Sequence, residues 1–194
     1  MRTIVACSCL AVAVASASGQ FQPAGAPRPA TPASPAPPPA TKLEAFSPSA
    51  GSLLRIGYTE LGKVGYDLVT VDVREVKDLK TGSSARGVVA EVHESQYREE
   101  RAFIDADEVP ELVAGMDALM DVKTNPTTFK SFEVHYTTRG GFELSAFNTA
   151  RDEIKYMVRA GRVVPASMPL DEKDFHKLRE MLIAAEQKLS EPSK

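Results

Sequence analysis

The amino-acid sequence predicts an α+β fold, an antiparallel sheet or sheets covered by two amphipathic helices and built as two ββββα units in one domain. Three observations carry this expectation. Apolar and polar residues alternate from Leu53 to Ile104 and again from Phe132 to Leu170, the period of half-buried strands. Each alternating stretch runs into a segment whose apolar residues recur at helical spacing. Glycine-bearing turns such as Lys80–Ser84 and Gly140–Gly141 separate the strands, as hairpins require.

Taken in order, Leu54, Ile56 and Tyr58 share one face of a first strand. Val69, Val71 and Val73 alternate with Thr70, Asp72 and Arg74 in a second, and Val88, Ala90 and Val92 with Val89, Glu91 and His93 in a third. A fourth strand is expected from about Arg98 to Ile104. Val109, Leu112, Val113, Met116, Leu119 and Met120 then fall on one helical stripe, with Asp105 or Asp107 able to cap it and Pro110 tolerated in the first turn. Asn125-Pro126 breaks the chain. In the second half Phe132, Val134 and Tyr136 alternate with polar neighbours, and Gly140-Gly141 supplies positive φ values for a tight turn. Phe142, Leu144 and Ala146 follow, then Ile154, Tyr156 and Val158, then Val164, Ala166, Met168 and Leu170. A last helix presents Phe175, Leu178, Met181, Leu182 and Ala185 on one side, capped by Asp171.

The halves superpose without a gap at an offset of 66: Ile104-Asp105 meets Leu170-Asp171, Val109 meets Phe175, Leu112 meets Leu178, and Met116 meets Leu182. Upstream, Val88, Ala90 and Val92 meet Ile154, Tyr156 and Val158. The half-repeats expected on this basis are 53–121 and 129–189.

This element order, from Leu53 to Leu189, resembles the whirly-type single-stranded DNA-binding fold, which is likewise built from repeated ββββα units. Phe103-Ile104-Asp105, Gly115-Met116-Asp117, Phe132-Glu133, Tyr136-Thr137, Gly140-Gly141-Phe142 and Phe147 resemble a group of exported bacterial proteins that has no assigned activity. The first resemblance implies a nucleic-acid-binding module as one alternative. The second implies a bacterial, exported domain and nothing about chemistry.

The N-terminus agrees with export. Met1-Arg2, the apolar run Ile4–Ala15 and the small-residue stretch Ala15–Gly19 have the layout of a secretory signal peptide over 1–19. Residues 20–41 read as a disordered Pro/Ala-rich tether, leaving 42–194 as a single domain. The run is too short to span a bilayer, which needs about 20 apolar residues. A periplasmic or extracellular location is therefore expected, and a lipid anchor is the weaker alternative. Both cysteines, Cys7 and Cys9, fall inside the signal, so the mature chain offers neither a disulfide nor a thiolate.

From Lys42 onward the 23 Lys and Arg less Arg2 and Arg28 leave 21 basic residues against 26 acidic ones. Acidic Asp72, Glu91, Glu133 and Glu143 interleave with Arg55, Arg74, Lys130, Lys155 and Arg159 on the expected outward faces. A nucleic-acid face concentrates basic residues instead, so no nucleic-acid partner is expected.

Catalytic candidates are few. Glu91-Val92-His93 and Glu133-Val134-His135 repeat one tripeptide, and on a strand each places Glu and His side by side on one face. Converging, Glu91, His93, Glu133 and His135 would form a metal site or a metal-dependent enzyme centre; standing apart, they are solvated surface residues. Asp105, Asp107, Glu108 and Glu111 complement a helix dipole and lack the glycine of a calcium loop. Tyr97, Phe103, Phe147 and Met157 lie out of phase with the inward sets, as a contact patch or as residues returned to the core by a bulge. The expectation is a non-enzymatic exported domain without cofactor that contacts protein, itself or an envelope component through an open sheet face or edge.

Overall fold

The computed structural model describes residues 38–123 and 126–192. The first sheet contains β1 (Leu54–Val64), β2 (Val69–Asp78), β3 (Ser84–Ser95) and β4 (Arg98–Asp105), and α1 (Val109–Met120) follows it. The second contains β5 (Glu133–Thr137), β6 (Phe142–Asn148), β7 (Ile154–Ala160) and β8 (Ala166–Leu170), followed by α2 (Glu172–Ser190). Strands stand in sequence order in both sheets and all neighbours are antiparallel. The protein is thus α+β, with the ββββα order written twice.

The expected signal, 1–19, and tether residues 20–37 lie outside the described residues. Tether residues 38–41 do not: the compact unit begins at Pro38, and Thr41 is buried. Thr41 Oγ1 accepts from the Glu44 N–H at 3.0 Å and so starts the 3-10 turn Glu44–Phe46. Leu43 behind it sits against Val76, Ala85 and Val89 on the outer side of the first sheet. The boundary expected at 41/42 thus lies four residues inside the compact unit, which begins at Pro38.

The inward sets of the strands meet in one core. Val69, Val71, Val88, Ala90 and Val92 from the first sheet join Phe142, Leu144, Ala146 and Val158 from the second, together with the buried stripes of both helices. Phe175 of α2 stacks on Tyr156 of β7 with ring centroids 4.1 Å apart and planes 12° apart. Asp171 caps α2 by accepting from the Asp174 N–H at 2.7 Å. At the other end the Arg86 guanidinium of β3 donates to the carbonyls of Leu189, Glu191 and Lys188 at 2.8, 2.6 and 3.2 Å. A cation at a helix C-terminus satisfies orphan carbonyls and complements the dipole.

The helices cross between units. α1 packs on β5 and β6 of the following unit and against α2, while α2 reaches back over β1, β2 and β3. Local residues explain both crossings. Gly115 has no Cβ where one would stand 2.5 Å from the Tyr136 ring, so the ring lies directly on α1. Gly62 makes the same room for Met181 Sδ on α2, and Lys177 Nζ donates to the Lys63 carbonyl at 2.8 Å. Arg179 grips Asp117 with two hydrogen bonds, at 2.5 and 2.9 Å, and joins the helices. Each ion holds the other charged: Asp117 lies below its usual range and Arg179 above.

Strand pairing corrects the gapless offset. Ile104 pairs with Val88, whereas Leu170 pairs with Tyr156, so Val88 corresponds to Tyr156 rather than Ile154 and the offset there is 68. Val88 in turn pairs with Val73, and Tyr156 with Ala146, which raises the offset to 73. Every hairpin of the first unit is longer than its counterpart. The 66-residue relation holds from β4 through the helix and fails upstream; at β3 the failure is hidden because a shift of two preserves strand alternation, whereas the shift of seven at β2 does not. Val164, expected inward, precedes β8 and is exposed.

Candidate functional site

The open part of the molecule is the outer face of the first sheet and its β1 edge. A bulge at Leu61 divides β1, since register passes from Glu60↔Asp72 directly to Gly62↔Val71. Beyond the bulge, Val64 is buried in the core. Before it, Arg55 to Glu60 are exposed on both faces, Tyr58 at 72 % and Ile56 at 46 %. Leu54, Ile56 and Tyr58 do share a face as expected, but it is the face turned from the main core, and of the three only Leu54 finds apolar cover. Leu53 and Leu79, joined by a backbone hydrogen bond of 2.9 Å, add two exposed apolar side chains at the start of the strand.

The β1–β2 turn is strained beside this edge. Tyr66 and Asp67 have φ of 58° and 64°, and Leu68 N–H donates to the Gly65 carbonyl at 3.2 Å. These are the positions of a two-residue hairpin turn that favours Asn-Gly, yet Tyr66 is 93 % exposed and gains no burial in return. Tyr66→Asn is expected to stabilise the fold by about 1 kcal/mol, the penalty of a left-handed L-residue, read as a higher urea midpoint; an unchanged or lower midpoint would contradict the strain.

Along the outer face the register builds a ladder of charge. Glu91 pairs with Arg101, and His93 with Glu99. His93 Nε2 lies 2.8 Å from Glu91 Oε1 and its Nδ1 3.5 Å from Glu99 Oε2, while Arg101 Nε donates to the second Glu91 oxygen. Burial acts to raise the Glu91 carboxyl, but the Arg101 guanidinium and the His93 ring bring it below its usual value. The ladder borders a shallow recess of about 510 Å³, lined also by Tyr58, Glu60, Lys63, Asp67 and Asp72.

The second tripeptide stands on the other sheet. His135 Nε2 lies 3.1 Å from Glu133 Oε2 and its Nδ1 3.2 Å from Glu143 Oε1, and Arg159 donates to Glu143 at 2.8 Å. Glu91 and His93 stand apart from Glu133 and His135, on different sheets, and among the described residues the carboxylate–imidazole group close enough to hold a cation is Glu91, His93 and Glu99, with ligand atoms within 4.8 Å. Its geometry is that of an ion-pair cluster, since an arginine already occupies one Glu91 oxygen. Glu99 and Glu143 are the partners sequence reading missed. Folding the hairpin at Gln96-Tyr97 alone would set Glu99 opposite Glu94; a bulge at Glu94 shifts the register by one and brings Glu99 opposite His93.

The four expected patch residues are dispersed. Tyr97, at the β3–β4 turn, is 89 % exposed. Phe103 is half-buried against Leu43, Phe46, Leu54, Val76 and Val89 in a small cluster under the N-terminal segment. Phe147 and Met157 are half-buried on the outer face of the second sheet, where Met157 pairs with Ser145. Asp105 and Glu108 are buried at the base of α1 and bonded to protein groups, Asp105 to the Lys42 and Leu43 N–H groups and Glu108 to Arg139.

Among the described residues no helix is long and apolar enough to cross a membrane. No protein-family model matches the chain, and no curated protein matches it either.

Proposed function

We propose that this protein is an exported, non-enzymatic binding domain that contacts protein through the β1 edge and outer face of the first sheet. The observation that supports this reading most directly is the stretch Arg55–Glu60, six consecutive strand residues that are exposed on both faces. A strand so placed gains little stability from burial, and its edge can template another strand. The exposed Ile56, Tyr58 and Tyr66 give that edge apolar and aromatic contact area. The acid–histidine clusters favour binding over catalysis, since each carries an arginine on a carboxylate that would otherwise move protons or hold a metal. Acidic groups interleave with basic ones on both outer faces, which speaks against a phosphate-tracking surface. Export rests on the 1–19 segment and the Pro/Ala-rich run behind it.

The test is a photo-crosslinking residue placed at Tyr58, with Glu180 on α2 as the control position, in cells producing the full chain. Protein adducts at position 58 that are missing at 180 are expected, on a chain processed near Gln20 and recovered outside the cytoplasm. Equal labelling at both positions would overturn the contact edge. Tight, salt-sensitive binding of single-stranded DNA by the purified domain would replace this reading with the nucleic-acid one.

A further inference from the structure

We propose that the occupant of the β1 edge is a second copy of this chain, paired antiparallel about a two-fold axis through Gly57 to make a continuous eight-stranded sheet. The inference rests on the reading of β1 as a contact edge and goes beyond it by naming the partner.

A two-fold axis normal to a sheet pairs residues on the same face, so the candidate registers are centred on single residues. Centred on Gly57, Ile56 meets Tyr58 of the second copy twice over, an apolar cross-strand pair of the stabilising kind. Arg55 then meets Thr59, and Leu54 meets Glu60, so neither charged residue faces a like charge. Centring on Tyr58 instead sets Ile56 against Glu60, and centring on Thr59 sets Arg55 against Lys63, a like-charge pair that is destabilising. Centring on Ile56 also avoids like charges and sets Leu54 against Tyr58, so charge and hydrophobicity exclude the Tyr58 and Thr59 centres, and the open space at Gly57 decides between the remaining two in favour of Gly57.

Space agrees with this. A Cβ at Gly57 would meet nothing within 4 Å, so two copies can approach closely at the axis. Ile56 and Tyr58, exposed at 46 % and 72 %, would cover each other across the junction. The opposite edge of the sheet offers no equivalent, because the turn carrying Gly140 abuts the Phe103 backbone of β4. Guard residues are sparse: from Leu54 to Glu60 there is no proline or lysine, the usual devices that keep sheet edges apart. Seven residues give a seam about 23 Å long and one strand wide, a narrower contact than the face-to-face patches that bury roughly 1,600 Å² in a standard interface. The association is therefore expected to be reversible, with a dissociation constant on the order of 10 µM.

Single cysteines test the register in the full chain carrying C7S and C9S. Directly opposed strand residues have Cα atoms about 4.5–5.5 Å apart, within the roughly 4.4–6.8 Å that a disulfide spans. Under mild oxidation G57C is expected to form a covalent dimer at least tenfold faster than I56C or Y58C. Sedimentation equilibrium of the cysteine-free chain should show a monomer–dimer equilibrium that Y58K weakens at least tenfold while leaving the circular dichroism spectrum unchanged. Faster linkage by Y58C than by G57C would overturn the register. A chain that stays monomeric at its solubility limit, or dimerises equally as Y58K, would overturn self-pairing. In that case adducts at position 58 to a different protein would leave the edge reading standing, and no adducts would remove both.

Discussion

Replacing Gly140 by alanine is expected to remove about 4 kcal/mol of stability, in the range that marks exceptional single substitutions, or to prevent folding outright. The turn between β5 and β6 is fixed by its own hydrogen bonds: Thr138 N–H donates to the Phe142 carbonyl at 2.9 Å, Gly141 N–H to the Thr138 carbonyl at 3.1 Å, and Phe142 N–H to Thr138 Oγ1 at 3.1 Å. A Cβ on Gly140 would stand 1.7 Å from the Phe103 carbonyl oxygen, 2.8 Å from its carbon and 3.1 Å from its nitrogen. Those atoms belong to β4, whose position is set by the Val89↔Phe103 pairing. Neither backbone can yield without opening the seam between the sheets or the β3–β4 ladder. Gly57→Ala is the control: its added Cβ meets nothing and its φ is not in the left-handed region, so less than about 1 kcal/mol is expected. Urea unfolding of both variants decides the matter. A G140A midpoint within error of the parent would show that the two sheets are not held at this contact.

The repeated order of strands and helices was legible because its signals are local. Val69, Val71 and Val73, the Phe142–Ala146 alternation and the α2 stripe Phe175, Leu178, Met181, Leu182 and Ala185 are all inward-facing in the structure. Where reading stopped, the deciding contact was distant in the chain. Gly140-Gly141 looked like one turn device, but Gly141 alone has a positive φ, 77°, and Gly140 is a packing contact with a strand 37 residues earlier. β1 carries the right alternation on the wrong side. Nothing within Leu54–Tyr58 announces that α2 covers the strand only from Leu61 onward. The same limit applies to the site: each Glu-x-His pair was visible on its strand, while Glu99, Arg101, Glu143 and Arg159 arrive by cross-strand register, which sequence alternation leaves undetermined to multiples of two.

The crossing of the helices also bears on what the two units are. α1 lies on β5 and β6 of the following unit, and α2 lies on β1 to β3 as well as on β7 and β8 of its own sheet, so each unit's sheet is covered in part by the other unit's helix. The chain is internally paired, and a separate unit would expose the apolar face that the other unit's helix covers. This arrangement accounts for the length of α2, whose last turn is needed to reach Arg86.

Asp105→Asn is the second substitution expected to have a large effect, about 3 kcal/mol, the range for disrupting a buried charged partner. Asp105 is 1 % exposed, and each carboxylate oxygen accepts a different backbone donor: Oδ2 from Lys42 N–H at 2.9 Å and Oδ1 from Leu43 N–H at 3.0 Å. Asparagine keeps the shape but has one acceptor, so its amide N–H₂ would face a backbone N–H and leave it without a partner. The loss spreads because the site is a junction. Glu108 accepts from the Asp105 N–H and from the Arg139 N–H, and Arg139 also pairs with Asp107, so the N-terminal segment, the start of α1 and the β5–β6 turn share one set of charges. Burial acts to raise Asp107, but the Arg139 hydrogen bond and the Arg139 and Lys42 charges hold it below its usual value, while Glu108 and Asp107 raise Arg139. Releasing Lys42 and Leu43 uncovers Val76, Ala85, Val89 and Phe103 on the outer face of the first sheet. The D105N protein should therefore show two changes together: a lower urea midpoint, and faster proteolytic cleavage between Pro38 and Ser52 under native conditions. A lower midpoint with unchanged cleavage would place the role of Asp105 in α1 alone. Faster cleavage with an unchanged midpoint would show that the N-terminal segment docks on a sheet already stable without it.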